Sequence, residues 1–317
     1  MKPIGGYFEL ELQRIYNFPH KNGIFVNSGR NALGLVLNSI KNIQIVYIPY
    51  FTCDVVLEPL EKLNIHYEFY NINKHLELDH DICLNENEYL LYTNYFGIKD
   101  DYIKKLSQKY GDKLIVDNAQ ALYAEPTANC IYSPRKFVGI PDGGIAYIKE
   151  KKDIASYAKD YSSDKCDHLL IRHDNGATEG YLAFKENSAK LKSQTIKQMS
   201  NLTKRLIDSI DFNAIKEKRI NNFNYIHKYL KESNLLNVDN FRKYACPMIY
   251  PYYTADKTLK QKLISSKIFV ATYWPNVFEW CKSDSLEYNF GEQIIAIPID
   301  QRYGIEDMNR IIKEIVR

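Results

Sequence analysis

Cysteine is sparse in this chain: six residues among 317, each at least 30 positions from the next, with no Cys-x-x-Cys pair. That spacing excludes a zinc ribbon or finger, and it makes a poor disulfide framework for so long a chain. The thiols read as reduced, which points to the cytoplasm. Histidine gives no metal site either, because His75 and His80 are five apart, as are His168 and His173. Neither pair has the i,i+4 spacing that brings two rings to one helix face. Charge of one sign is also missing: 42 Lys and Arg against 39 Asp and Glu leave a net +3, no electrostatic case for nucleic acid or an anionic membrane as partner. No window approaches the roughly 18 apolar residues of a membrane span, and the opening residues lack the apolar core of a secretory signal. Internal repeats, low-complexity tracts and Gly/Ser linkers are absent as well.

What is present is an ordinary globular composition, 45% hydrophobic and 26% charged, in a chain long enough for a large domain and a smaller one. In the first half, short apolar runs alternate with helical patterns, as in a mostly parallel sheet covered by helices, an α/β fold. Strands are expected at 43–48, 65–70, 89–92, 113–116 and 145–148, and helices at 31–40, 54–63 and 101–110. The second half changes character. Long helices are expected at 188–210 and 213–230, the latter with Phe212, Ile215, Ile220, Phe223, Ile226 and Leu230 near one stripe. Strands at 245–253, 268–271 and 293–297 and helices at 259–265 and 305–316 complete a small α+β domain. The division falls near 210, giving 1–210 and 211–317.

Four segments carry possible chemistry, each at a strand end or a helix start, where ligands of open α/β sheets gather. Asn27-Ser28-Gly29-Arg30-Asn31 is a small turn opening a helix, whose free N–H groups and positive dipole end suit a phosphate. Alone it is more simply a helix cap. Asp117, closing the run Leu114-Ile115-Val116, is placed to hold a cationic ring nitrogen, and Gln120 can face the same ligand; an aspartate capping the next turn reads as well. Lys136, between Pro134 and the glycines Gly139, Gly143 and Gly144, sits on an irregular segment where a lysine can lose hydration and act as an amine nucleophile. Most lysines do no such thing. The fourth segment, Pro49-Tyr50-Phe51-Thr52-Cys53, is on its own a strand stop. Together a phosphate turn, an Asp-x-x-Gln and a lysine in a glycine-rich turn are the parts that pyridoxal phosphate requires.

These residues resemble the DegT-type aminotransferases of nucleotide-sugar metabolism, over nearly the whole chain. Ser28-Gly29-Arg30-Asn31-Ala32-Leu33 is similar to that family's phosphate turn, and Ile48-Pro49-Tyr50-Phe51-Thr52 to the strand end covering one cofactor face. Val116-Asp117-Asn118-Ala119-Gln120-Ala121 is similar to its Glu-Asp-Ala-Ala-Gln-Ala segment, and Pro134-Arg135-Lys136 with Asp142-Gly143-Gly144 to its lysine segment. The resemblance implies a fold-type-I transferase and a homodimer. It implies Lys136 as the residue bonded to pyridoxal phosphate and Asp117 on the ring nitrogen. Ser28, Gly29, Arg30, Asn31, Cys53, Gln120 and Ser133 would be further cofactor contacts. The implied substrates are glutamate, as amino donor, and a keto sugar on a nucleotide. The chain departs from the family at Cys53, where an aromatic usually stacks on the ring, and at Ile131, where a phosphate-binding Ser is usual and Ser133 is the nearest substitute. Asn94 stands for a His and Arg30 for a small hydroxyl residue, and an Asn-Tyr-Arg that reaches the partner's site has no clean counterpart. A sugar dehydratase on the same cofactor and a non-catalytic relative of regulatory or scaffolding role are the alternatives.

Overall fold

Apolar runs broken by helix caps build the first half. In chain order the elements there are β1 (Ile24–Val26), α1 (Gly29–Ser39), β2 (Ile45–Pro49), α2 (Leu57–Lys62), β3 (His66–Tyr70), β4 (Glu88–Thr93), α3 (Asp100–Tyr110), β5 (Leu114–Asp117), β6 (Cys130–Tyr132) and β7 (Gly144–Tyr147). There follow α4 (Asp167–Asn175), α5 (Tyr181–Lys190), α6 (Asn201–Asp208) and α7 (Phe212–Leu230), then β8 (Ile249–Tyr253), α8 (Leu259–Ser265), α9 (Val277–Trp280), α10 (Leu286–Gln293), β9 (Ile294–Pro298) and α11 (Ile305–Val316). The structure, a computed structural model, describes residues 4–150, 152–238 and 246–316.

Seven strands form one sheet in the order β1-β7-β6-β5-β4-β2-β3. Strands β2 to β6 run parallel, β7 runs against β6, and β1 against β7. Adjacent residues of the central strands face opposite sides, and both sides are apolar because both are covered. Val46, Leu91, Ile115 and Ile131 pack against α1, whose Ala32, Leu33, Leu35, Val36 and Leu37 are all buried. Leu90, Tyr92, Val116 and Tyr132 face the other way, into a core shared with α7 and the C-terminal elements. There β8 and β9 pair antiparallel. Among the described residues, no helix is long and apolar enough to cross a membrane.

The parallel direction decides where the chemistry can be. The carboxyl ends of β2, β4, β5 and β6 share one rim, and the two reversals bring the start of β7 and the end of β1 to it, with Val26 opposite Gly144. All four singled-out segments therefore emerge on the same edge.

Two expected elements differ. The helix expected at 188–210 is broken: α5 ends at Lys190 and α6 begins only at Asn201. Between them the chain lies along β1, with Asn27 N–H donating to the Lys197 carbonyl (3.1 Å) and Met199 N–H to that of Phe25 (3.2 Å). Tertiary pairing has overridden helical propensity. The strand expected at 268–271 is reduced to a bridge between Ala271 and Ala296. Of the strand expected at 245–253, position 245 lies outside the described residues.

Candidate functional site

Ser28 caps α1, its hydroxyl accepting from Asn31 N–H at 3.1 Å. That leaves the first N–H groups of the helix, those of Gly29 and Arg30, without an intrahelical partner. Asn31 is buried, and its amide donates to the Asn27 side chain and to the Thr195 carbonyl, both at 2.8 Å, fixing the turn against the 191–200 segment. Gly143 and Gly144 back this turn. Gly143 N–H donates to the Asn27 carbonyl (3.0 Å), and any Cβ on Gly144 would collide with the Ser28 carbonyl. Gly29 faces Ser133, since a Cβ built there would lie 3.3 Å from the Ser133 Cβ. The phosphate-type turn and the lysine segment thus touch. Ser133 is buried, and no hydrogen bond of its hydroxyl is found within the described residues.

Asp117 ends β5. One carboxylate oxygen accepts from Ala119 N–H at 2.8 Å. Burial pushes the carboxyl above the usual carboxylate range, against the opposing pull of the Lys136 charge and the Ala119 N–H. Gln120 is fully buried. Its Oε1 accepts from Phe96 N–H (2.9 Å), but its Nε2 has no partner in the structure. An unmade bond at a buried amide costs about 1–3 kcal/mol, so this donor calls for a ligand. Asn94 holds the neighbourhood, donating to Asn118 (2.9 Å) and Asp100 (2.8 Å).

Lys136 closes a tight turn after β6, Pro134–Lys136, and its side chain is exposed at the rim. Its charge acts on Asp117 and on Cys53, whose thiol is pushed up by burial and pulled back by Lys136. Lys136, Asp117 and Cys53, each at or just after a strand end, lie near enough for the Lys136 charge to act on the other two. Tyr273 of the C-terminal segment lies beside Cys53: burial first, then Cys53, pushes its hydroxyl up to about 12, and its ring lies 5.9 Å from that of Phe96. Arg30 pairs with Glu58 on α2 (3.3 Å). Arg135 lies near it, pushed down to about 10 by burial and then by the Arg30 charge.

The sequence reading passed over Arg135, Arg219 and Gln301. Arg219 sits at 2% exposure on the apolar stripe of α7, while Ile220, assigned to that stripe, is only half-buried. A charged residue four after Ile215 and four before Phe223 was the available signal. Among the described residues no three His, Cys, Asp or Glu side chains are placed to hold a metal.

No family model matches the chain, and no curated protein matches it in sequence. Solved structures do. A DegT DnrJ EryC1 StrS aminotransferase from Brucella abortus superposes with TM-score 0.61 at 13% identity, covering 93% of this chain and 85% of that one. PseC of Helicobacter pylori, an aminotransferase in the biosynthesis of pseudoaminic acid, gives 0.64 at 12%, over 93% and 86%. NtdA of Bacillus subtilis, with bound cofactor PMP, gives 0.63 at 14%, over 93% and 72%. This chain has the aminotransferase fold. Its seven-stranded, mostly parallel sheet with a smaller antiparallel unit is the architecture expected from the sequence.

Proposed function

We propose that the chain is a pyridoxal-phosphate-dependent aminotransferase of the DegT type, passing an amino group from glutamate to a keto sugar carried on a nucleotide. One observation carries the reading: the charge of Lys136 reaches the buried Asp117 carboxyl, and, three residues on, Gln120 Nε2 is unspent among the described residues. These residues fit the cofactor. Asp117 would hold its ring nitrogen and Gln120 would donate to the ring's edge. Ser28, Gly29, Arg30, Asn31 and Ser133 would hold its phosphate, and Cys53 would be a further contact.

Pyridoxal phosphate, when bound, supplies an aldehyde that bonds to amines and a ring that accepts an electron pair. Lys136 Nζ, on a backbone turn but with an exposed side chain, would hold the cofactor covalently, and as a free amine would carry a proton at the substrate carbon. Asp117 Oδ, buried at the end of β5, would in its ionised form keep a proton on a ring nitrogen facing it. Tyr273 beside Cys53 and the buried Trp274 against Phe51 would keep water from that part of the site.

The similarity to Spr1654 of Streptococcus pneumoniae, described as a putative sugar aminotransferase (TM-score 0.66 at 14% identity), supports a sugar substrate here. Large apolar side chains left exposed on α4 and α5, namely Leu170, Tyr181, Leu182 and Phe184, support a homodimer. Six free cysteines support the cytoplasm. The division at 210 separates a cofactor-binding part from a C-terminal part that closes over it.

Purified protein should gain visible absorbance with micromolar pyridoxal phosphate, respond to glutamate, and lose both properties in Lys136→Ala. Wild-type protein that takes up no cofactor ends the proposal. Uptake without passage of labelled nitrogen from glutamate to a sugar turns it to the dehydratase.

A further inference from the structure

We propose that Arg219 is a positioning residue, one that fixes the backbone beside Lys136 relative to the Asp117–Gln120 segment. This rests on the reading of Lys136 given above. The guanidinium of Arg219, on α7, donates to three neutral acceptors. NH2 reaches the Phe137 carbonyl (3.1 Å), NH1 the Met248 carbonyl (2.8 Å), and Nε the Gln301 Oε1 (3.2 Å). Gln301 in turn donates from Nε2 to the same Phe137 carbonyl, at 2.9 Å. Two donors from the C-terminal half thus hold one carbonyl, the one belonging to the residue directly after Lys136.

The same arginine also grips the side chain. Its guanidinium centre lies 4.7 Å from the centroid of the Phe137 ring, a cation–π distance. The ring's neighbour, Tyr123, is itself tied to α7 through a hydrogen bond from its hydroxyl to the Phe212 carbonyl (2.8 Å). Phe137 is held at its carbonyl and its ring together, while the side chain of Lys136 beside it is exposed.

The Met248 arm reaches the other segment. Met248 N–H donates to the Phe96 carbonyl (2.8 Å), and Phe96 N–H donates to Gln120 Oε1 (2.9 Å). One side chain is therefore at the junction of the lysine segment, the Asp-x-x-Gln segment and the C-terminal part. A buried charge is expensive unless its surroundings compensate it. The nearby carboxylate, Asp300, is held in a two-bond pair by Arg302 at 2.7 and 2.8 Å. What the position needs is a rigid fork of donors, which arginine has and lysine lacks.

The test compares Arg219→Met, Arg219→Lys and Gln301→Met in the full chain. Folding is checked by thermal unfolding. The rate at which added pyridoxal phosphate becomes covalently attached at Lys136 is read by borohydride trapping and mass spectrometry. A displacement of about 1 Å at a reacting group costs on the order of a hundredfold in rate, so attachment should slow about that much in folded Arg219→Met. Arg219→Lys, which keeps the charge, should not restore it, and Gln301→Met should fall between. Amide exchange at Phe137 and Val138 should quicken while that of β5 does not, a local loosening that a general packing role would not give. Wild-type attachment in folded Arg219→Met, or full rescue by Arg219→Lys, overturns the proposal. If Arg219→Met does not fold, wild-type attachment in Gln301→Met overturns it. If wild-type protein takes up no cofactor, the aminotransferase reading falls separately, and unchanged exchange at Phe137 in the variants then overturns this one.

Discussion

Two buried polar clusters flank the turn that carries Lys136, and they differ in one respect. Beyond its far end, Asp142 accepts from Ser162 Oγ, Thr203 Oγ1 and Lys165 Nζ. Lys165 also bonds Asp160 (2.6 Å), and Asp160 bonds Lys197 (3.1 Å). Each of these six side chains, Asp142, Asp160, Ser162, Lys165, Lys197 and Thr203, has a partner. On the other side, among the described residues, Gln120 Nε2 has none, and Asp117 accepts from the backbone N–H of Ala119. Burial is alike in both; satisfaction is not. A saturated cluster is part of the fold's own bonding, and it braces the Gly143-Gly144 strand entry against the α1 turn. A cluster with spare donors and acceptors keeps them for something the chain does not contain.

The largest effect should come from the saturated side. Lys165 is 5% exposed between two carboxylates. Lys165→Met leaves Asp142 and Asp160 buried with one charge fewer, and breaking such a pair costs about 3–5 kcal/mol. Urea unfolding should show that loss. A change below about 1 kcal/mol, the range of an exposed pair, would break the contrast.

His20 tests saturation by pH. Its Nε2 lies 2.5 Å from the Leu122 carbonyl, and burial pushes its pKa down to about 4 despite that bond. The unfolded chain binds the proton near pH 6.5. Stability from the neutral ring is therefore complete above about 6.5 and is lost as pH falls through about 4. The span corresponds to about 3 kcal/mol. Chemical denaturation between pH 7 and pH 4 should show most of it in wild type and much less in His20→Gln.

Much of this was legible in the sequence, for identifiable reasons. β2 and β5 read clearly because an apolar run ends in Pro49 or Asp117, and α11 because its stripe is regular. The strands β1 and β6 did not, since three residues are too short to show a period. The 191–200 segment misled because its polar, lysine-rich composition suits a helix, whereas Asn27 and Asn31, more than 160 positions away, claim its backbone. In the site, Lys136, Asp117 and Gln120 announced themselves by adjacency to strand ends. Arg219 and Gln301 could not, because what they hold is a carbonyl some 80 and 160 residues away.

The smallest stability effect should be the most telling. Asp117 has a folded-state pKa raised above its ordinary value, burial being the leading cause. The stability that goes with its protonated form is present below about pH 3.8, the unfolded value, and is lost as pH rises through the folded one. Burial therefore sets the ionised carboxyl of Asp117 at a disadvantage that the Lys136 charge and the Ala119 N–H only partly offset. Asp117→Asn keeps an oxygen for the Ala119 N–H and removes the carboxylate charge. Its unfolding free energy at pH 7 should equal or exceed that of wild type, within about 1 kcal/mol, and should depend less on pH, while its affinity for pyridoxal phosphate falls. An Asp117→Asn protein as damaged as Lys165→Met would place Asp117 among the saturated, structural groups. A protein that is stable yet unable to keep the cofactor would show that this carboxylate is charged for the sake of a cation from outside the chain.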